Sequence, residues 1–308
     1  MISCNACQGS ECQVRAKLKS EVDGRGYSAI QCKNCGLIFA HPLPPSSFEL
    51  LQEIYDEEYA RGQRVVIIDP KEDEALQLAV HRQMDMVEKY IKKGCVLNVG
   101  AMSKSNIVFQ ERGWKPDFVE VSEYAAKTAH ELWGLDVTLS RIEDYSCPPD
   151  TYDLIKLGHV IEHLFDPRMV VEKLERMLKP GGILLIETDN AQGTMTQLEI
   201  GIRRILGDQR TARIVQRVMK KNLLKRYGRL TPPEHVYLFS ATNLSRLLKS
   251  LGFSIVEVFR PAWGDLTWFP LPNRDRFGPV ERGFILMDQI GAKFGAGDVI
   301  VALARKGK

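Results

Sequence analysis

The fold is decided between Cys95 and Asn190, by the runs Cys95-Val96-Leu97-Asn98-Val99-Gly100, Phe118-Val119-Glu120-Val121, Tyr152-Asp153-Leu154-Ile155-Lys156-Leu157 and Ile183-Leu184-Leu185-Ile186-Glu187. Each is apolar and of strand length, and Val137-Thr138-Leu139 adds a shorter one. Between them, residues 103–112, 123–133 and 168–178 have helical spacing. Strands alternating with helices predict a parallel sheet covered on both faces. Lys179-Pro180-Gly181-Gly182 is expected to stop the third helix and turn the chain into the next strand. Glu120 ends the second strand, about 20 residues beyond Gly100. Such sheets bind ligands at the carboxyl ends of their strands, where an acid suits a ribose diol.

Working outward, residues 240–251 read as a helix stopped by Gly252. Phe253 to Phe259 and Val299-Ile300-Val301-Ala302-Leu303 read as an antiparallel edge pair, with a long excursion at 260–297. The expected fold class is α/β: a doubly wound, mostly parallel, seven-stranded Rossmann-like sheet. On the N-terminal side, residues 46–60 and 70–93 read as helices packed across the sheet entrance, with Leu76, Val80, Met84 and Val87 at helical intervals.

The segments Gly158-His159-Val160-Ile161-Glu162-His163-Leu164-Phe165-Asp166-Pro167 and Leu178-Lys179-Pro180-Gly181-Gly182 carry a more specific signal. A strand, a hydrophobic-Glu-His turn and Asp-Pro opening a helix resemble the class I S-adenosylmethionine-dependent methyltransferases, of the small-molecule type. The resemblance spans residues 95–190, with a second patch at 231–259. It implies S-adenosyl-L-methionine as cofactor, with Glu120 accepting from the ribose hydroxyls and Ile142 and Glu143 bordering adenine. Gly158 and His159 would lie beside the methionine part, near the sulfonium. Glu120 also reads as a solvated strand end, Glu143 as an exposed acid, and Glu162 and His163 as a cap on the next helix.

The glycine loop departs from the family pattern. Family members usually show an acid and then Gly-x-Gly-x-Gly, because a Cβ there would collide with the cofactor. This chain has Asn98-Val99-Gly100-Ala101-Met102-Ser103-Lys104, with Asn98 in place of the acid and only the first glycine kept. Asn98, Gly100, Ala101 and Met102 are the expected cofactor contacts, and Lys104 could meet the cofactor carboxylate. The alternative is a methyltransferase-like scaffold that uses no cofactor and binds a partner or lipid-linked substrate.

The second patch, Thr231-Pro232-Pro233-Glu234-His235-Val236-Tyr237-Leu238-Phe239-Ser240, resembles the Glu-His-x-x-x-Phe-Ser segment of small-molecule methyltransferases. Sugar methyltransferases bearing a zinc ribbon carry a comparable pair. This implies His235 as general base, Glu234 orienting it, His163 nearby, and a small-molecule or glycan-type acceptor. Imidazole titrates near neutrality, as that work requires. A histidine merely hydrogen-bonded at a helix entry is the plainer reading. Trp263, Trp268 and Phe269 read as lining the acceptor pocket or as core.

The cysteines divide by spacing. Cys4/Cys7 and Cys32/Cys35 form two Cys-x-x-Cys pairs, and Cys12, Cys95 and Cys147 remain. In a reducing compartment, paired knuckles predict a tetrahedral structural Zn2+ site, with ordinary thiols as the other reading and Cys12 a substitute ligand. So small a unit needs metal to fold. Cys95, opening an apolar strand, is expected to be buried. The expected units are a zinc-ribbon-like segment at 1–41, a helical linker or cover at 42–94, and the main domain at 95–308 with a basic helical insertion at 194–230.

That insertion carries ten Lys/Arg against Glu199 and Asp208, although the whole chain has a net charge of only +3. Its spacing predicts amphipathic helices forming a solvated lid, or touching an anionic membrane surface or substrate through 203–229. Without an aromatic stacking motif, nucleic acid is not an expected partner. No apolar run approaches the ~18 residues of a membrane span. The start shows no leader pattern, so a cytoplasmic location is expected, peripheral to a membrane if the basic helices bind one.

Overall fold

The computed structural model of the protein describes residues 2–20, 23–45, 48–55, 70–100, 103–206, 230–262 and 279–307. The chain opens with antiparallel strands β1 (Cys12–Lys19), β2 (Gly26–Cys32) and β3 (Ile38–His41). Two helices follow, α1 (Phe48–Ile54) and α2 (Pro70–Val87). Then come β4 (Cys95–Val99), a 3-10 turn at Lys104–Asn106, α3 (Ile107–Glu111), β5 (Lys115–Glu120), α4 (Glu123–Trp133) and β6 (Val137–Leu139). The second half runs β7 (Tyr152–Gly158), α5 (Pro167–Met177), β8 (Leu178–Asp189), α6 (Thr194–Leu206), β9 (Tyr237–Leu238), α7 (Ala241–Ser250), β10 (Phe253–Phe259), α8 (Pro279–Lys293) and β11 (Val299–Lys306).

The large sheet has the order β10-β11-β8-β7-β4-β5-β6. Strands β4 to β8 are parallel, and β11 lies antiparallel between β8 and β10. This is the doubly wound, Rossmann-like sheet that the strand spacing predicts. The chain winds outward from β4 through β5 to β6, then restarts on the other side with β7. That reversal opens a crevice above the carboxyl ends of β4 and β7. The central strands are apolar on both faces, as a sheet covered on both sides requires; Val96, Leu97, Leu154, Ile155 and Ile183 to Ile186 are fully buried.

Local chemistry sets the helix ends. Ser122 Oγ accepts from Ala125 N at 3.2 Å to cap α4, and Gly134 ends it at φ +64°. Asp166 caps α5 by accepting from Met169 N at 3.0 Å, with Pro167 in the first turn. The cap of this helix is therefore Asp166, not Glu162 or His163. Ser240 and Asn243 form a reciprocal capping box on α7.

Some local expectations are corrected. The helix stops at Met177 as expected, but the Lys-Pro-Gly-Gly run lies within β8 as an irregular stretch, with Gly181 at φ +80°, before regular pairing with β7 resumes at Ile183. A Cβ on Gly182 would come to 3.1 Å from the Asp153 carbonyl and 2.9 Å from that of Lys179, so this glycine serves close strand approach. The helix expected over 103–112 is only a 3-10 turn and α3. Cys95 is half-buried. Of the two N-terminal helices, α1 docks at the crevice, where Gln52 Nε2 donates to the Val121 carbonyl and Ser122 Oγ to that of Tyr55. Helix α2 lies instead against the 3-10 turn and α3.

The excursion after β10 contains α8, which packs on α6. Buried Asp298 joins them, accepting from Met195 N at 2.8 Å and Thr196 N at 2.9 Å. Residues 207–229 of the basic insertion, and Trp263, Trp268 and Phe269, lie outside the described residues.

Candidate active site

A cleft enclosing about 740 Å3, part of it open to solvent, sits above the switch point. Its floor is Val99-Gly100 from β4, Val119-Glu120-Val121 from β5 and His159-Val160 after β7. Ser140 to Glu143 form one wall, His163 to Phe165 another, and Leu51 and Tyr55 close over it. Gly100 has φ +75°, a conformation glycine adopts at little cost, and a Cβ there would stand 2.9 Å from Val160 Cγ2. Buried Asn98 donates to the Gly100 carbonyl at 3.2 Å, supporting this turn from below without lining the cleft.

Glu120 is buried at the cleft. Its Oε1 accepts from Val121 N at 2.8 Å and Ser122 N at 2.9 Å, while Oε2 has no partner among the described residues. Burial raises its pKa, and the two amides counter that by favouring the ionised form. A buried acceptor without a donor calls for explanation, and a ligand hydroxyl would satisfy it. Ile142 and Glu143 line the same cleft, and burial also raises the Glu143 pKa.

Three histidines and three acids gather beside this cleft. His159, at φ +53°, lines it with Nδ1 at 3.1 Å from Glu162 Oε1 and 3.9 Å from Asp189 Oδ1. Burial pushes its pKa down, but the bond and charge of Glu162, with Asp189 and Glu187, raise it to about 9. His159 is thus held as a cation and is a poor general base. Glu162 is desolvated, yet the His159 bond brings its pKa down to about 2. Lys156 pairs with Glu187 at 3.1 Å.

His163 also lines the cleft. Its Nδ1 lies 3.0 Å from the Glu234 carbonyl and 3.1 Å from the Tyr55 hydroxyl. A carbonyl can only accept, so Nδ1 carries a hydrogen, and a neutral ring in this position has its lone pair on Nε2. His235 stands edge-on to His163, ring centroids 4.5 Å apart, with Nδ1 4.0 Å from Asp189 Oδ2. Burial and the neighbouring His163 lower the His235 pKa, while burial raises that of Asp189 to about 6. His235 itself is not part of the cleft lining, and neither is Gly158.

Away from the cleft, the sulfurs of Cys4, Cys7, Cys32 and Cys35 all lie within 4.8 Å of one another and could hold a metal ion. Cys4–Cys35 is 3.5 Å and Cys7–Cys32 is 3.6 Å. Cys12 lies opposite Cys32 across the β1–β2 pair and is not in this group.

With the cleft and its acid in place, comparison with known proteins becomes informative. The sequence profile of a methyltransferase domain matches residues 71–258, more than half of the chain. The chain belongs to the methyltransferase-domain family. Solved structures agree on the fold. A chain of the complex between the Haloferax volcanii Trm112 methyltransferase activator and a methyltransferase has a TM-score of 0.54 at 12% identity, covering 84% of this chain and 98% of its own. An Archaeoglobus fulgidus SAM-dependent methyltransferase has 0.51 at 16%, covering 82% and 100%. The [4+2]-cyclase SpnF also scores 0.51 at 18%, covering 86% and 98%, so this architecture alone does not dictate the reaction. No curated protein matches the sequence. Among the described residues, no helix is long and apolar enough to cross a membrane.

The structure thus brings Gly100, Glu120, Ile142, Glu143, His159 and His163 to one cleft. It sets Asn98 beneath the cleft and His235 behind His163. Ala101 and Met102 lie outside the described residues. Tyr55, Glu187 and Asp189 were not singled out from sequence. The polar run Glu187-Thr188-Asp189-Asn190 at the end of an apolar strand was the available signal for two of them. Tyr55 offered none.

Proposed function

We propose that this methyltransferase-domain protein transfers a methyl group from S-adenosyl-L-methionine to a small-molecule or glycan-type acceptor. The observation that carries the proposal is the unpartnered, buried Oε2 of Glu120 on a cleft at the carboxyl ends of β4, β5 and β7. The residues fit an adenosyl group: Glu120 for the ribose diol, Ile142 and Glu143 at the base, and the Gly100 turn where a Cβ would crowd the floor. The cofactor, when bound, supplies an electrophilic methyl group on a sulfonium. The protein contributes position and proton removal.

His163 is the base facing the cleft, its tautomer set by the Glu234 carbonyl. His235 backs it, with the Asp189 carboxylate 4.0 Å from its Nδ1. The four thiols fit structural zinc, since tetrahedral Zn–S bonds of about 2.3 Å place sulfurs about 3.8 Å apart. Calorimetric titration with S-adenosylmethionine and S-adenosylhomocysteine tests the cofactor, and absence of heat with both at about 100 μM protein would reject it.

The basic insertion supports contact with anionic lipid. Ile205 on α6 and Phe294 after α8 are 81% and 84% exposed, and Leu286 and Ile290 of α8 are exposed as well. Exposed apolar side chains in a chain that also carries a Lys/Arg-rich sequence suit a membrane interface. The protein is expected to co-sediment with vesicles containing phosphatidylserine and not with phosphatidylcholine alone. Equal recovery from both removes the idea.

A further inference from the structure

The small cysteine-bearing sheet is completed by the segment that carries His235. Its order is β1-β2-β3-β9, and β9 comes from residues 237–238. Phe39 pairs with Tyr237 and Ile38 with Leu238, while Ala40 N donates to the Val236 carbonyl at 2.9 Å. On the opposite side, Val236 N and Tyr237 N both donate to the Glu162 carbonyl, at 2.9 and 3.1 Å. The chain just after His235 is therefore strung between β3 and the Glu162-His163 turn.

Both cysteine knuckles are tied to the large sheet as well. Between Cys4 and Cys7, the Asn5 and Ala6 carbonyls accept from Arg168 of α5, and Asn5 Nδ2 donates to the Tyr237 hydroxyl at 2.7 Å. Between Cys32 and Cys35, the Asn34 carbonyl accepts from Arg246 of α7 at 2.9 Å. Cys4, Phe39 and Ala40 share one buried core with Val236, Tyr237 and the strands of the large sheet. A two-residue strand such as β9 has little stability without its partner, and so small a ribbon has little without metal.

The geometry points to the Cys4 unit as a metal-dependent positioning device for the 231–240 loop, holding His235 against His163 without touching the reacting atoms. The inference rests on the proposed function only for what His235 does; the coupling of metal to loop is independent of it. Gly100, Glu120, Ile142 and Glu143, the residues proposed to hold the adenosyl group, come from other segments, so metal loss acts on the loop and on the His163 wall it is bonded to, and spares the adenosyl side of the cleft.

The test uses the full chain before and after zinc removal by chelation, or Cys32→Ser. Amide exchange is followed by mass spectrometry, alongside S-adenosylhomocysteine titration. Protection at Val236 and Tyr237 is expected to fall about 100-fold, while β4, β5 and β7 keep theirs and adenosylhomocysteine affinity stays within about threefold. Unchanged protection over 231–240 overturns the inference, and so does uniform loss across the large sheet, which would make the ribbon a general stabiliser. Asn5→Ala, which removes the ribbon's bond to the Tyr237 hydroxyl and keeps the four cysteines and the bond from Tyr237 to the Phe165 carbonyl, guards against global unfolding. It is expected to retain one zinc per chain and lose about tenfold protection over 231–240; no local change overturns the coupling. Failure of adenosylhomocysteine to bind the untreated protein would sink the proposed function and leave the exchange result standing.

Discussion

Glu120→Ala is expected to weaken S-adenosylhomocysteine binding by about 10- to 150-fold, as measured by calorimetry. A hydrogen bond to a charged group contributes about 1.5–3 kcal/mol, and each 1.4 kcal/mol is about tenfold in affinity. The carboxylate is already dehydrated by the fold, and Val121 and Ser122 fix its direction through Oε1. A ribose hydroxyl meeting Oε2 would therefore gain a preorganised acceptor. The variant should fold, because it also removes a desolvated charge and leaves β5 apolar at that point. Glu120→Gln should fall between the two, as an amide oxygen accepts more weakly than a carboxylate. Burial raises the Glu120 pKa, so binding should decline with acidification at a higher pH than an exposed acid would allow. An alanine variant with wild-type affinity would show that the cleft does not seat a ribose.

Glu162→Gln is expected to destabilise the protein by about 3 kcal/mol near pH 7, because removing one member of a buried ion pair leaves its partner uncompensated. For a domain of this size that lowers the unfolding midpoint by on the order of 10 °C. The pH dependence follows from the two shifts. Glu162 has its folded pKa lowered to about 2, so its stabilisation is present above the ordinary carboxylate range and is lost as pH falls toward 2. His159 has its folded pKa raised to about 9, so its contribution is full below the ordinary imidazole value and is lost as pH rises through 9. Both describe one interaction, counted once, and it is strongest between about pH 4.5 and 6.5. The difference between wild type and variant should narrow above pH 9. Denaturation curves that differ by the same amount at pH 6 and pH 10 would rule out an imidazolium at His159.

The positioning role of the ribbon gives the Cys4 unit a reason to be joined to this domain. A metal knuckle that served only its own three strands would not need Arg168 and Arg246 bonded to its backbone carbonyls. The Glu-His loop, for its part, contains a short strand with its partner in the first forty residues of the chain. Each part supplies what the other lacks: an edge for β9, and a shared core for a sheet too small to bury one.

Much of the architecture was legible because its causes are local. Val96-Leu97, Leu154-Ile155 and Ile183 to Ile186 are apolar on both faces, which only a covered parallel strand requires. Glu120 could be picked out because an acid at the end of such a strand meets the crevice wherever the flanking helices go. The cysteine pairs were legible from spacing, since a knuckle is closed within four residues. The Lys-Pro-Gly-Gly run was legible as the place where the helix stops, at Met177, but not as part of β8, where the Asp153 carbonyl stands beside Gly182.

What sequence alone determined, then, is the strand order's raw material, the acid at the cleft and the thiol set, all governed by periodicity or short spacing. Tertiary structure decided that His159 and His163 line the cleft with His235 behind, that Asp189 approaches His235, that Tyr55 closes the site, and that the ribbon borrows its fourth strand from the Glu-His loop. Those outcomes depend on chain segments as far apart as Phe39 and Tyr237 meeting in space. A side chain's neighbours across such separations are set by how whole layers pack, which no local pattern records.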